Sequence, residues 1–439
     1  MPTDLAPHGH DAVIIGAGVI GACLAYELAK RGWRSLSLDM AGEAGHGSTA
    51  SSCAIIRTHY STLDGAALAH EGWFYWKDWA GYLAHDRARP LAQYRDIGCL
   101  VMKAESNEDL VPICRNMDAL AIPYEHWDEA RIAERYPFYD IARFAPAKLL
   151  DDDGFGAPSG GRLPGAVFFP RAGYVTDPAL AAQNARWAAE AKGAEFRFNA
   201  RVVEIRRESG RTTGVTLENG ERIDVPVVVN VGGPHSAKLN RLAGVEEGMN
   251  IKTRALKQEV AHVPAPPGFD YERDGFVTSD GDIACYARPE LGNHLLIGSE
   301  DPECDEREWV DPDTYDRNFT AQWRTQVLRM AQRIPSLPVP EQARGLVDLY
   351  DVADDWIPIY DTSDLAGFYM AIGTSGNQFK NAPVVGALMA ALIEACEDGR
   401  DHDLDPLSFH LAYTKRDIDL GFYSRRREIN PESSFSVLG

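Results

Sequence analysis

Short, wholly apolar runs alternate with longer segments of helical spacing along much of the chain. This pattern predicts parallel strands buried on both faces and joined by crossover helices. Residues 11–15 (DAVII) predict one such strand, 22–31 the amphipathic helix after it, and 35–38 (SLSL) a second strand ending on Asp39. Residues 66–82 carry Trp73, Phe74, Trp76, Trp79 and Tyr82 at helical spacing, a stripe expected to pack in the core. Residues 98–102 predict a strand and 107–120 a helix, while 144–171, rich in Gly, Pro and Asp, predict a surface excursion or a lid. Asp177 before Pro178 starts a helix that runs to about residue 192. Strands follow at 195–198, 202–206 and 213–217, with Glu218-Asn219-Gly220-Glu221 as hairpin turn chemistry. An apolar strand at 225–231 then runs into Gly232-Gly233-Pro234-His235-Ser236, where His235 is expected to serve the turn.

Between residues 250 and 299 the rhythm changes to period two, with strands expected at 255–263, 282–288 and 294–298. Leaving the strand–helix alternation for antiparallel strands predicts a second domain. Tyr286 and Arg288 fall on one face of their strand; lining a site, cross-strand packing and an ion pair account for them equally. Strand, glycine turn and helix return together at 367–395, with Gly373, Gly376, Asn377, Gln378, Phe379 and Lys380 in the turn. A cation beside a helix start is disfavoured by the helix dipole, so Lys380 points to an anionic partner.

The first glycine turn carries the most specific chemistry. Gly16-Ala17-Gly18-Val19-Ile20-Gly21 lies between a strand and a helix, and Asp39 follows 18 residues after Gly21. Dinucleotide sites need a glycine for the tight turn, a second for close approach of a pyrophosphate and a third for strand–helix packing. The amides at the helix start then face the phosphates, and the acid meets a ribose 2′-hydroxyl. An acid there suits NAD or the ADP half of FAD and disfavours NADP. The loop 42–52, made of small residues, could let backbone lie against a flat ligand and leads to Arg57, the sole charge after an apolar stretch. On the residues alone, Arg57 could equally pair with a surface carboxylate.

Composition narrows the class. With 439 residues, 45% of them hydrophobic, the chain can bury a large core and is expected to form about two domains. A formal net charge of −21 argues against nucleic-acid or anionic-membrane binding. Residues 1–10 lack the basic region and apolar core of a secretion signal, and no apolar run approaches the roughly 20 residues that span a bilayer. The seven cysteines show no paired spacing, so neither a disulfide framework nor a zinc or other metal site is expected, and a cytoplasmic setting is.

Five blocks, GAGVIG with its acid, GSTASSCAIIR, GYVTDP, VVNVGGPHS and GTSGNQFKNAPVVG, in this order and spacing resemble the D-amino-acid oxidase-like superfamily of FAD oxidoreductases. The similarity covers roughly residues 11–394 and is strongest to the branch of sarcosine oxidases, glycine oxidase and dimethylglycine dehydrogenases. The resemblance implies an α/β (α+β) architecture: a Rossmann-like FAD-binding domain with a second, mainly antiparallel β-sheet substrate domain. The FAD-binding domain is expected from 1–95, 168–245 and 345–415, the substrate domain from 96–167 and 246–344, and 416–439 as a C-terminal tail.

By the same resemblance, Arg57 and Lys380 match the pair that holds a substrate carboxylate. From their place in the chain, Tyr286 and Arg288 are further catalytic-site candidates, and His59 and Tyr60 are pocket candidates. FAD is expected on Gly16, Gly18, Val19, Ile20, Gly21, Asp39, Met40, Gly47, Ser48, Thr49, Ser51, Ser52, Val203, Gly232, Gly233, Gly373, Gly376, Asn377, Gln378, Phe379 and Lys380. Departures matter as well. Asp348 stands near the family's flavin-linking cysteine and Ser51 near its linking histidine, with His46 a poor substitute, so non-covalent FAD is expected. Leu296 stands near the lysine that assists oxygen reduction, which leaves oxygen or an acceptor protein as the electron acceptor; the oligomeric state stays open. The implied reaction is oxidation of the C–N bond of a secondary or N-alkylated amino acid by hydride transfer to flavin N5, then imine hydrolysis. A flavin-dependent 2-hydroxy-acid dehydrogenase, an FAD-binding subunit of a larger complex and, from the glycine turn alone, an NAD-dependent dehydrogenase are the alternatives.

Overall fold

A computed structural model describes residues 9–438 of the chain. Its first layer is a six-stranded sheet in the order Ile359–Asp361, Phe368–Ile372, Val227–Asn230, Ala12–Ile15, Ser35–Leu38, Glu195–Arg197. All neighbouring pairs are parallel except the first, which is antiparallel. Ala12 and Ile14 point to a cluster with the helices Val19–Lys30, Pro178–Glu190 and Ala382–Glu397, whereas Val13 and Ile15 point the other way. Period-two alternation thus gives each face its own core. The second core is closed by the antiparallel strands Val202–Glu208, Arg211–Leu217 and Arg222–Asp224, whose last turn uses Glu218 to Glu221.

The helix segment Phe379–Glu397 is 19 residues long and apolar enough to cross a membrane by length and composition, against the expectation that no run approaches that length. Here it is a core helix: Val384, Val385, Leu388 and Leu392 are fully buried, and a Cβ on Gly386 would stand 2.8 Å from the backbone of Cys23. The close approach of two helix backbones explains its small residues.

The second layer is an eight-stranded sheet in the order Gly345–Ala353, Thr253–Pro264, His294–Ser299, Cys285–Glu290, Val277–Asp280, Cys99–Met102, Ala166–Phe169, Glu125–Trp127. Only the pair Val277–Asp280 with Cys99–Met102 is parallel. One face, through Leu100, Ala261, Ala287 and Ile297, packs on Trp323, Val327 and Met330 of the helix Ala321–Arg333. The opposite face, through Tyr286, Val260 and Ser279, looks into a cavity shared with the first sheet.

Two sequence expectations change. Residues 166–169 are a buried strand rather than part of a loop, and 144–165 do not reach the cavity wall. Asp282 pins that stretch by accepting from the backbone N–H groups of Phe144 and Ala145, while Phe144 and Leu163 pack on the helix side of the large sheet. It is therefore a surface excursion and not a lid. The helix expected at 107–120 begins at Val111, after a 3-10 segment at Glu105–Leu110 in which Glu108 and Asp109 take positive φ.

Candidate active site

A continuous cavity of about 1390 Å³ runs between the two sheets. Its walls bring together Gly16, Gly18, Val19, Ile20 and Gly21; Asp39 and Met40; Gly47, Ser48, Thr49, Ser51 and Ser52; Val203; Gly232 and Gly233; and Gly376, Asn377, Gln378, Phe379 and Lys380. Arg57, His59 and Tyr286 share the same cavity. Segments more than three hundred residues apart meet there because the parallel sheet places the ends of Ala12–Ile15, Val227–Asn230 and Phe368–Ile372 side by side.

The first turn fits its glycines tightly. Gly16 takes φ +113°, and a Cβ there would stand 2.2 Å from the carbonyl oxygen of Val231. A Cβ on Gly21 would stand 2.0 Å from the carbonyl oxygen of Gly16, so the helix packs directly on the turn. Asp39 accepts from the N–H groups of Ala17 at 2.7 Å and Ala41 at 2.8 Å, which holds its carboxylate beside that turn. The helix start has no acidic residue in its first turn, and Val19 N–H donates to Thr49 Oγ1 at 3.1 Å. The remaining first-turn amides lack intrahelical partners and direct positive dipole at the cavity.

At the rim, the loop after Trp309 crosses toward the first sheet's side of the cavity. Asp313 meets Lys238 at 2.6 Å, Arg201 at 3.1 Å and His235 at 3.2 Å, and the hydrogen bond from Lys238, then Arg201, holds its carboxyl far below the usual range. His235 lies in the short 3-10 turn Gly233–His235, and burial lowers its pKa.

The second glycine turn is built by its neighbours. Gly376 takes φ +70°, and a Cβ there would lie 2.5 Å from the ring of Tyr350. Trp76 donates from Nε1 to the carbonyl oxygen of Lys380 at 2.8 Å and stacks on Phe379, so part of the aromatic stripe holds this turn in place. Tyr360 Oη and Asn381 Nδ2 both donate to Gln378 Oε1, at 2.9 and 2.6 Å. Asn377 Nδ2 is buried without a partner among the described residues. An unsatisfied buried donor in a cavity wall calls for an acceptor from a ligand.

Arg57 and Lys380 define the charge of the adjoining region. Arg57 is 7% exposed and Lys380 2%, and they lie 4.3 and 4.9 Å from the centre of the Tyr60 ring. The Arg57 guanidinium donates to the carbonyl oxygens of His59 at 2.7 Å, Val437 at 3.0 Å and Leu438 at 2.5 Å. Lys380 Nζ donates to the carbonyl oxygen of Asn377. Among the described residues neither cation has a carboxylate partner within ion-pair distance. Burial, and then Arg57, push the Lys380 ammonium well below its ordinary pKa. His59, stacked on Phe169 at 4.2 Å, is held well below its ordinary value first by burial and then by both cations. A buried carboxylate would relieve this accumulation of positive charge.

Tyr286 Oη lies 3.4 Å from Tyr350 Oη and 3.7 Å from Cys53 Sγ, a polar edge in an otherwise apolar wall. Burial raises both phenols, so both remain protonated. Ser279 in the same wall donates to Glu300 Oε1 at 2.6 Å, and burial pushes the Glu300 carboxyl up to about 8.

Three expected site residues lie outside the cavity wall, among them Tyr60, whose ring instead packs against Arg57 and Lys380. Arg288 is absent from the cavity wall: Glu290, two residues on and on the same face, captures it at 2.9 Å, and its guanidinium covers the Tyr174 ring at 4.4 Å. Gly373 also stays behind the wall, where its N–H donates to buried Asp351 at 2.6 Å and shapes the turn. Sequence reasoning missed Tyr350 and Ser279, although the alternation of Leu346, Asp348 and Tyr350 is a usable strand signal. It also missed Val437 and Leu438, for which no local signal exists.

These walls fit FAD through the glycine turn, the acid at Asp39, the uncapped helix start and the unpartnered amide of Asn377. The family described as FAD dependent oxidoreductase (DAO) matches residues 11–392. The chain is similar to the glycine oxidase of Geobacillus kaustophilus, with 25% identity over 91% of this chain and 97% of that one. It is also similar to the sarcosine oxidase subunit beta of Rhizobium meliloti, with 24% identity over 89% of this chain and 85% of the relative. Among solved structures, the L-proline dehydrogenase of P. horikoshii superposes with a TM-score of 0.72 at 20% identity, covering 90% of this chain and 95% of that one.

Proposed function

The chain belongs to the DAO family of FAD-dependent oxidoreductases, and from that premise we propose that it oxidises the C–N bond of an amine bearing a carboxylate, a secondary or N-alkylated amino acid. The observation that carries this reading is the pair of buried basic side chains, Arg57 and Lys380, both packed against the Tyr60 ring, with no carboxylate partner among the described residues. The named activities of the relatives, on glycine, sarcosine and proline, support the substrate class.

The residues that would hold the cofactor are the turn Gly16 to Gly21, Asp39, Thr49 and the turn Gly376 to Lys380. When bound, FAD supplies a two-electron acceptor that takes a hydride from the carbon beside the nitrogen. The chain's own part is binding and aim. Arg57 and Lys380 fix the carboxylate at two points, which leaves the adjacent C–H one orientation within the cavity. Tyr286 and Tyr350 offer hydroxyls beside the reacting region. The two sheets enclose the site, and the imine that leaves it is hydrolysed by water to the carbonyl product and the amine.

The test is a screen of the purified yellow protein on N-methyl amino acids, cyclic amino acids and 2-hydroxy acids, under air and with an artificial electron acceptor. Turnover of the amines supports the proposal, and turnover of 2-hydroxy acids alone overturns it.

A further inference from the structure

Arg57, read above as the residue that holds the substrate carboxylate, already has occupants. Its Nη2 donates to the carbonyl oxygens of both Val437 and Leu438, and both residues lie in the cavity wall. The Val437 side chain sits in a small apolar cluster with Leu256, Tyr286, Val352 and Trp356. Chain from the far end of the sequence thus stands where a substrate must place its charge and part of its side chain.

The route of this segment shows two regimes. Arg425 is fully buried and meets Asp361 at 3.0 Å, Asp364 at 2.6 Å and Asp403 at 2.8 Å, and Arg427 meets Asp355 at 2.7 Å. Those pairs fix the chain beside the edge of the six-stranded sheet. Beyond them the bonds are largely local: Ser433 N–H to the Asn430 carbonyl at 3.3 Å, Ser434 to Ser436, and Leu438 N–H to Ser436 Oγ at 3.2 Å. Besides Val437 packing, the long-range polar ties of 433–438 among the described residues are Arg307 to the Phe435 carbonyl at 3.0 Å and Arg57 itself. A strongly anchored base followed by a weakly tied end can leave the cavity without disturbing either sheet.

The competition has a clear direction. A guanidinium bonds a carboxylate more strongly than neutral carbonyls, and a carboxylate also answers the charge on Lys380. Substrate therefore wins the contact, but its apparent affinity is reduced by the fraction of molecules in which the segment is seated. We propose that residues 436–438 are an internal occupant of the carboxylate subsite, which the substrate must displace from Arg57, so that this segment sets affinity and decides which substrates enter. The proposal rests on the carboxylate-holding role of Arg57.

Acetate binding to the FAD-loaded enzyme, followed through the flavin absorbance, tests it. Val437→Lys forces a charge into the apolar cluster of Leu256, Tyr286, Val352 and Trp356 beside Arg57 and expels the segment; a chain ending at Glu432 removes it. Both should bind acetate about tenfold more tightly than the parent. In the parent, saturating acetate should speed chymotryptic cleavage after Phe435, which is partly exposed. Unchanged or weaker acetate binding in variants with the parent's FAD content overturns the proposal; if both variants misfold, unchanged cleavage in the parent overturns it. Adding Arg57→Met to Val437→Lys separates the two readings: retained tight acetate binding sinks the role of Arg57, whereas its loss upholds that role.

Discussion

The phenol of Tyr60 donates to the carbonyl oxygen of Asn377 at 3.0 Å, tying together two segments 317 residues apart. The Tyr60 ring lies 4.3 Å from Arg57 and 4.9 Å from Lys380, so Tyr60 fixes the spacing of both cations relative to the second glycine turn. Tyr60→Phe removes the donor while Lys380 still donates to that carbonyl. The expected loss is about 1 kcal/mol of stability, read as a lower Tm, together with a higher KM for carboxylate substrates.

Arg57→Met and Lys380→Met should each weaken carboxylate-bearing substrates by a few kcal/mol in kcat/KM, the scale of a lost charge-assisted contact. Amines without a carboxylate should lose little. Equal loss for both classes would assign the residues to the fold instead of to substrate binding.

The depressed pKa of Lys380 gives carboxylate binding a definite pH dependence. In the free enzyme burial and Arg57 favour the neutral amine, and a bound carboxylate favours the ammonium. Binding therefore takes up a proton between the two values, and affinity falls as pH rises through that interval. His59 stays neutral there, held down by burial and both cations. Measured as the acetate dissociation constant against pH, the slope should vanish in Lys380→Met.

Gly21→Ala tests the first turn. The added methyl would lie 2.0 Å from the Gly16 carbonyl oxygen, so the helix start must shift away from the turn. Overpacking of this kind costs about 1–3 kcal/mol. FAD retained after gel filtration should drop markedly, and retention at the parental level would detach this turn from cofactor binding.

Local chemistry made the first glycine turn readable: strand, glycines and acid fall within one short stretch, and the structure places Asp39 against the turn it follows. Arg57 and Lys380 were named by the resemblance, yet their shared Tyr60 ring depends on contacts across hundreds of residues. Arg288 shows the limit of face alternation: it does share a face with Tyr286, but Glu290 lies next along that face and captures it. For 144–171 the choice between a surface excursion and a lid stayed open in the sequence, because composition marks a segment as exposed without saying which side of the sheet it covers. Nothing near Val437 indicates that its carbonyl reaches Arg57, because that contact arises only when 433–438 fold back over the large sheet.

The last prediction concerns Glu300, which accepts from Ser279 Oγ at 2.6 Å and from the Asp280 N–H at 3.2 Å. Burial raises its carboxyl from 4.5 to about 8, against these hydrogen bonds. A raised folded-state value means that the native chain holds a proton the unfolded chain has released, so the contribution of Glu300 to stability is greatest below 4.5 and declines as pH rises toward about 8. Asp351, pushed up to about 7, and Asp301, pushed up to about 6, act in the same direction by burial. Glu300→Gln keeps the acceptor oxygen for Ser279 and removes the titration. Its Tm should therefore fall less steeply than the parent's across this range while a residual slope remains from the two aspartates. A slope identical to the parent's would mean that Glu300 is ionised throughout, with Ser279 and the Asp280 amide outweighing its burial.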